Sequence, residues 1–567
     1  MIVQELQAIQ ERHGYLPASE LHALSQRLTV PLHRLHEVAS FYPLYRLKPP
    51  PVADVKVCRD MACHLHGASR LTTSLQAYAN EINDGTSSVV VEGVSCLGQC
   101  DRPVAVSIND YVYRGKGETE LRKLIDTALA HEKLPHQHAD RAPLGWKIDP
   151  YEGQPRYEAL KKFLGDRNGD AILKALEVSN LRGMGGAGFP TFKKWSAVRG
   201  APGDVKYVVC NADESEPGTF KDRELMRRTP HLLIEGMLLA GLVTGANRGY
   251  IYIRHEFHEE KEVLQEAINQ AYEQKLLGDN ILGSGLSFPL EIFVSPGGYI
   301  QGEESALLEA MEDRRGEPRN KPPFPVFVGL FGKPTVINNV ETLCWTPGIV
   351  LKGGEWYRDQ GINGEPGLRF VSISGDVAKP GVYEVPFGQT VRDLVYNTAG
   401  GMREGQKLKA IATSGPSGGF LPAQIKRELL SEKFVAAKMK PDAKTYDILD
   451  LPLGLNTVAS MGGMLGAAFV VYGDKADMVE NALNCVEFYR NESCGKCVPC
   501  RVGSEKMTEL IKEMLEGRFR REQLPLVNDL ADTMTLASIC GLGQVAANPI
   551  TSVIKYFREE LDGYLSK

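Results

Sequence analysis

Eight of the eleven cysteines fall into two groups with metal-site spacing. Cys494, Cys497 and Cys500 form a C-x2-C-x2-C run in ESCGKCVPCRVG, and Cys540 in SICGLGQ offers a fourth thiol. Cys58 and Cys63 (C-x4-C) pair with Cys96 and Cys100 (C-x3-C). Four thiolates hold an iron–sulfur cluster, a one-electron carrier. Zinc competes, but structural zinc favours two C-x2-C knuckles separated by a loop, and three cysteines at successive x2 spacing suit a cube-shaped cluster better. Disulfides are the weaker reading. The segment MIVQELQAIQERHG lacks the basic, apolar and small-residue succession of a secretory signal, so a cytoplasmic chain with reduced thiols is expected. Cys210, Cys344 and Cys485 stand alone among apolar neighbours and read as buried small hydrophobes.

Two glycine-rich turns carry the next chemical signal. LRGMGGAGFPTFKKW runs from Leu181 to Trp195, and SPGGYIQGEESALLEAME from Ser295 to Glu312. Glycines let a backbone approach a phosphate or a flat ring, and a following helix N-terminus favours an anion. Beside them lie acids: Asp213, Glu214 and Glu216 in CNADESEPGTFKDR, and Glu303 and Glu304 in QGEESA. Each could be a solvated face or a helix start. After a strand in an α/β fold, however, acids sit where ligands bind, suited to ribose hydroxyls or ring amides. Lys194 and Lys321 could meet phosphate or a flavin edge, although a surface role suits either alone.

The elements that must position these groups follow from patterning. A chain of 567 residues, 43% hydrophobic and 24% charged, holds about four domains with substantial cores. Its net charge of −6 and pI near 6.1 imply no basic face for nucleic acid. No apolar run reaches a membrane span, because LLIEGMLLAGLVTGA is short and broken by Glu235. The first fifty residues read as three helices, the first ending at Gly14, the second capped by Ser19 and the third opened by Pro31. VADVKVC and SSVVVEGVSC are strands leading to Cys58 and Cys96, with a helix near Cys63 between them, then a hairpin in PVAVSINDYVYRG and a helix in ETELRKLIDTALAHE. Backbone N–H groups at such strand ends and helix starts can hydrogen-bond cluster sulfurs. HEKLPHQHADRAPLGWKIDPYEG is Pro-rich and without apolar period, so His131, His136 and His138 belong to a linker. VKYVVCN, RGYIYIRHE and LEIFVSP alternate with helical patterns, which implies a largely parallel sheet.

Six motifs in order, LRGMGGAGFPTFKKW, VCNADESEPGTFKDR, GGYIQGEESAL, EPRNKPPFP, GKPTVINNVETL and ESCGKCVPCR, resemble the NADH-binding, FMN-containing subunit of respiratory complex I and its soluble relatives over about residues 150 to 560. The first 130 residues, through VASFYPLYRLKP and the C-x4-C…C-x3-C spacing, are similar to the neighbouring thioredoxin-like [2Fe–2S] subunit. Such a fusion looks most like the diaphorase (β) subunit of soluble NAD-dependent molybdenum or tungsten formate dehydrogenases. The corresponding subunit of NAD-reducing hydrogenases is the close alternative, with complex I and electron-bifurcating relatives behind it.

The resemblance implies a multidomain α/β fold: a helical segment (1–50), a thioredoxin-like [2Fe–2S] domain (51–130), a linker (131–150), a Rossmann-like FMN and NADH domain (151–365), a ubiquitin-like SLBB insert (366–455) and a helical [4Fe–4S] domain (456–567). It places FMN on Gly183, Gly185, Gly186, Ala187 and Gly188 with Lys194 at its edge, and in contact with Asn211, Asp213, Glu214, Asn338, Asn339 and Thr342. It stacks NAD(H) against Phe189 and Phe324, in a pocket lined by Glu216, Tyr299, Glu303, Glu304 and Lys321. Cys494, Cys497, Cys500 and Cys540 hold [4Fe–4S] in this scheme. Cys58, Cys63, Cys96 and Cys100 hold [2Fe–2S]. Met184 and Gln301 depart from the family pattern, where an arginine and a cysteine are usual, and Ala197 stands where some relatives carry a second stacking aromatic. The implied activity needs no side-chain acid or base. Electrons come from a formate-oxidising α subunit (or hydrogenase subunits) through [4Fe–4S] and FMN to NAD+ in a hetero-oligomer without a transmembrane segment. A reading from another class, a non-enzymatic redox-sensing iron–sulfur or zinc scaffold, leaves both glycine turns and the Asn338–Asn339 pair unexplained.

Overall fold

The computed structural model describes residues 2–83, 88–154 and 156–566. Three helices come first, Ile2–His13, Ala18–Leu28 and Leu32–Phe41. Gly14 ends the first at φ +75°, where its N–H donates to Gln10 O at 2.7 Å. Ser19 does not cap the second. That helix starts one residue earlier, behind Pro17, with no side-chain cap.

The ferredoxin unit is a four-stranded sheet of β1 (Ala53–Cys58), β2 (Val89–Val94), β3 (Val106–Ile108) and β4 (Tyr111–Tyr113) in the order β2-β1-β3-β4. β1 and β2 are parallel and the remaining pairs antiparallel. Helices Ala68–Ile82 and Glu118–Leu129 pack on it. Residues 132–146 form no helix or strand, yet they are tied down: Leu134 is buried, and Gln137 exchanges hydrogen bonds with the Arg114 backbone.

The central sheet contains β5 (Tyr207–Ala212), β6 (Arg248–Ile253), β7 (Leu290–Val294) and β8 (Thr335–Asn339), all parallel, in the order β7-β6-β5-β8. β8 is not among the strands that patterning predicts. Its apolar run, Val336–Ile337, is only two residues long before two asparagines. A parallel sheet must bury both faces. On one face, Val208, Cys210, Ile251, Ile253 and Val336 meet the helices Pro230–Thr244, His258–Glu273 and Val340–Lys352. On the other, Val209, Tyr250, Tyr252, Phe293 and Ile337 meet Leu6, Ile9, Leu35 and Val38 of the N-terminal helices, together with Leu307, Leu308 and Met311. The N-terminal helices therefore complete the central unit, although they adjoin the ferredoxin unit in sequence.

The insert is built on β9 (Leu368–Gly375), β10 (Gly381–Pro386), β11 (Leu408–Ala412) and β12 (Leu421–Pro422), beside the two-stranded β13 (Gln424–Lys426) and β14 (Thr445–Asp447). The helix expected after β10 is a π-helical turn, Asp393–Thr398. β15 (Ala468–Gly473) lies at the centre of the order β10-β9-β15-β11-β12. The division at 455 therefore cuts through this sheet: the chain must reach Gly473 before the insert closes. Beyond it come helices Met478–Glu492, Val498–Leu515, Leu524–Ala537, Gly541–Val545, Asn548–Tyr556 and Arg558–Asp562. Among the described residues no helix is long and apolar enough to cross a membrane.

Candidate functional site

In a sheet ordered β7-β6-β5-β8 the chain reverses its direction of winding between β5 and β8, and ligands bind beyond the carboxyl ends of the strands at such a switch point. β5 ends in Asn211 and Ala212, followed by Asp213 and Glu214; β8 ends in Asn338 and Asn339. The first glycine turn lies directly against them. The Met184 N–H donates to Thr342 Oγ1 at 2.9 Å, and a Cβ on Gly185 would stand 3.2 Å from Asn339 Cβ. Gly186 and Gly188 take φ values of +110° and +62°, which other residues rarely adopt. Gly183 anchors the turn by donating to Phe189 O at 2.9 Å, and Gly185, Gly186 and Ala187 are exposed. The second glycine turn closes the other side: Asn211 Nδ2 donates to Gly302 O at 2.8 Å.

Several of the expected contact residues hold the scaffold together. Asn338 Oδ1 accepts from Trp195 Nε1 at 2.8 Å. Asn339 caps the helix Val340–Lys352, accepts from Lys221 Nζ at 3.1 Å and donates to Asp222 at 2.6 Å. Lys221, fully buried, bridges Asp222 (2.7 Å) and Glu341 (2.9 Å). Glu214 accepts the N–H groups of Asp222 and Arg223 and so caps the helix Lys221–Arg228. Sequence reasoning does not single out Lys221, Asp222, Glu341 or Trp195. Their one signal is a place inside motifs that stand out for other residues.

Burial and two lysines set the electrostatics of the site. Burial raises the Asp213 carboxyl to about 7, and Asp213 Oδ2 is buried without a partner. Burial also pushes Glu214 up. Burial works to raise Glu304 as well, but Lys194 and Lys321 outweigh it and hold that group low. Lys321 bridges Glu303 (2.7 Å) and Glu304 (2.8 Å), and Lys194 reaches Glu304 at 3.5 Å and Ile337 O at 2.9 Å. Glu303 also caps the helix Glu304–Met311. Phe189 and Phe324 are each 50% exposed, available as flat surfaces. Glu216 accepts from Tyr299 and from the Ser417 N–H of the insert. Tyr299 in turn packs on Phe488 with ring centroids 4.9 Å apart.

Cys58, Cys63, Cys96 and Cys100 are all buried, Cys96 and Cys100 Sγ lie 3.5 Å apart, and the Gly98 N–H donates to Cys96 Sγ at 3.4 Å. The Gly218 N–H, from the loop after β5, faces Cys100. In the other quartet, Cys497 and Cys540 stand at the starts of the helices Val498–Leu515 and Gly541–Val545. The N–H groups of Leu542 and Gly543 face Cys540, and Ser493 Oγ lies 3.2 Å from Cys500 Sγ. Among the described residues no trio of His, Cys, Asp or Glu is arranged around a single-ion position. The fit to a multi-iron core rests on four thiols with N–H donors aimed at them. Cys210, Cys344 and Cys485 are buried. His136 and His138 stack at 5.6 Å in the linker.

Comparison with known proteins follows the same division. Residues 1–129 match the thioredoxin-like [2Fe–2S] ferredoxin family, 176–347 the Nuo51 FMN-binding domain, 370–421 the SLBB domain and 480–564 the NADH-ubiquinone oxidoreductase-F iron–sulfur binding region. The second F-type subunit of the NADH-quinone oxidoreductase of Rhizobium meliloti (strain 1021) is 40% identical over 426 residues, 75% of this chain and 96% of that protein. The F-type NADH-quinone oxidoreductase subunit of Escherichia coli (strain K12) is 38% identical over 445 residues, 78% of this chain and 94% of that protein. A chain in the crystal structure of an NAD+-reducing [NiFe]-hydrogenase in the air-oxidized state superposes with a TM-score of 0.85 at 31% identity, covering 99% of this chain and 93% of that one.

Proposed function

The chain belongs to the family of F-type NADH-quinone oxidoreductase subunits, and from that premise we propose that it is the NADH/NAD+–FMN diaphorase subunit of a multi-subunit dehydrogenase, exchanging hydride with NAD(H) and single electrons with a partner. It carries an FMN and NADH domain, a [4Fe–4S] region and a thioredoxin-like [2Fe–2S] domain. The observation that carries the reading is the switch-point crevice, where the exposed glycine turn packs on Asn339 at the end of β8 and Asp213, after β5, keeps a buried oxygen without a partner. Asp213 would accept a hydrogen bond from a flavin held there, and the turn's freedom from side chains would admit a ring and phosphate at close range. Bound there, FMN supplies the conversion between a two-electron hydride and single electrons.

The chain's own residues hold and orient. Gly183, Gly185, Gly186, Ala187 and Gly188 form the floor for FMN, fixed by the Met184–Thr342 hydrogen bond. Asn211, Asp213, Glu214, Asn338 and Asn339 form its wall, and Lys194 its edge. Phe189 and Phe324 offer aromatic faces to the nicotinamide nucleotide. Glu303, Glu304 and Lys321 present an ion-paired polar rim, and Glu216 with Tyr299 closes the side toward the helical domain. No residue is required as acid or base. The two cysteine quartets are the proposed cluster ligands.

The partner we propose is a molybdenum or tungsten formate-oxidising subunit, in the cytoplasm, where clustered thiols stay reduced. The fused N-terminal unit with its four cysteines supports this layout. A hydrogenase partner is the second reading, favoured by the whole-chain likeness to the NAD+-reducing hydrogenase chain. Anaerobic purification with associated chains tests both levels. Flavin bands and NADH oxidation with an artificial acceptor are expected. Colourless, inactive protein overturns the diaphorase reading, and nickel in place of molybdenum or tungsten overturns the formate assignment.

A further inference from the structure

The loop that carries Cys96 and Cys100 is gripped by buried cations of the flavin domain. Arg254, the residue after β6, donates to Cys96 O and, at 3.0 Å, to Glu214 O, in the acidic loop of the flavin site. Arg223 donates to Gly98 O at 2.7 Å and to Gln99 Oε1 at 2.6 Å, and pairs with Asp101 at 3.1 Å. Both arginines are buried. On its other sides the ligand region is held by the C-terminal domain, where Asn484 accepts from the Met61 N–H (2.8 Å) and donates to Arg59 O (2.9 Å).

We infer that Arg254, backed by Arg223, sets the reduction potential of the [2Fe–2S] site and thereby how far that site fills from the flavin. The inference rests on the ligand reading for Cys58, Cys63, Cys96 and Cys100. One electron, delivered from NADH through the flavin, makes the site one unit more negative. A buried cation beside it stabilises that state, with little screening by salt or water. Four carboxylates oppose the effect, two of them, Asp101 and Glu224, pairing with Arg223 at 3.1 Å each. Asp60 accepts the Cys96 N–H at 2.7 Å, and Glu256 pairs with Arg254 at 2.9 Å. Glu256 is the more exposed member of that pair, so Arg254 presents the charge that the buried loop feels most.

The test is a reductive titration of the anaerobically purified holoenzyme, followed through the electron paramagnetic resonance signal of the [2Fe–2S] site. Arg254→Met should lower the reduction equilibrium constant at least tenfold, a downward move of about 59 mV for a one-electron couple. Arg254→Lys, which keeps the charge, should move it far less. Glu256→Gln, which unmasks Arg254, should move it upward. An unshifted Arg254→Met midpoint, a Lys variant that falls as far as the Met variant, or a downward Glu256→Gln shift overturns the inference alone. If Arg254→Met fails to assemble the cluster, the sign of the Glu256→Gln shift decides. A wild-type holoenzyme without a [2Fe–2S] signal overturns the ligand reading and the inference with it.

Discussion

The Tyr299 hydroxyl donates to the Glu216 carboxylate at 2.5 Å, joining the glycine turn after β7 to the acidic loop after β5. Ser417 of the insert adds a second donor to Glu216 at 3.2 Å. Burial drives this carboxyl upward, and the Tyr299 and Ser417 bonds work against that rise. Three segments distant in sequence thus meet on one acid.

Replacing Glu216 by Ala should weaken nucleotide use while FMN stays bound. A hydrogen bond to a charged group contributes about 1.5–3 kcal/mol, so a rise of about tenfold or more in KM for NADH is expected. Steady-state kinetics beside flavin content checks this. An unchanged KM argues against placing Glu216 at the nucleotide site.

Cys540→Ala should leave NADH oxidation with an artificial acceptor partly intact but abolish the [4Fe–4S] resonance signal and exchange with the partner. Normal partner-driven NAD+ reduction in this variant would contradict the ligand role.

Asp213 gives a pH signature. Burial lifts its carboxyl from 3.8 to about 7 in the folded chain. The folded state therefore holds the proton more tightly than the unfolded one. The contribution is full below about pH 4, is lost as pH rises through about 7, and amounts to no more than about 4 kcal/mol. Thermal unfolding of the apoprotein at about pH 5 and pH 8 should show this loss, and Asp213→Asn should shrink it. A ring N–H donated to the ionised group favours its charged form, so added FMN should protect most at the higher pH.

Leu6 and Leu35 are fully buried against the central sheet. Either Leu→Ala change should cost about 2–5 kcal/mol and lower the temperature at which flavin is released. A chain lacking residues 2–41 should aggregate, because Tyr250, Tyr252, Phe293 and Ile337 lose their cover. A soluble, monodisperse, flavin-loaded truncation would refute that role. Light scattering and flavin fluorescence give the readouts.

What is legible in the sequence is what is local. The cysteine spacings, the glycine turns and the strands β5, β6 and β7 each declare themselves within about a dozen residues. β8 does not, because its apolar run is too short to outweigh the asparagines and prolines around it. β15 falls on the wrong side of the expected domain boundary because its partners, Ser372–Gly375 and Leu408–Ala412, lie far back in the chain, and no local pattern records such pairing. The amphipathic N-terminal helices advertise a buried face but not what covers it. The grip of Arg223 and Arg254 on the Cys96 loop is invisible for the same reason: a charged residue at a helix start or strand end looks like any other until the fold brings its partner.

The placement of the N-terminal helices has a consequence for biogenesis. Residues 2–41 leave the ribosome well before Thr335–Asn339, the last strand of the face they cover, is made. At bacterial and eukaryotic synthesis rates that interval is roughly 15 to 60 seconds. Through it the helices carry an apolar surface with no mate. Maturation of this polypeptide is thus ordered in time: flavin capture is deferred until the sheet is sealed, the Cys494–Cys540 quartet is made later still, and a chaperone that shields those first helices would govern the yield of folded chain.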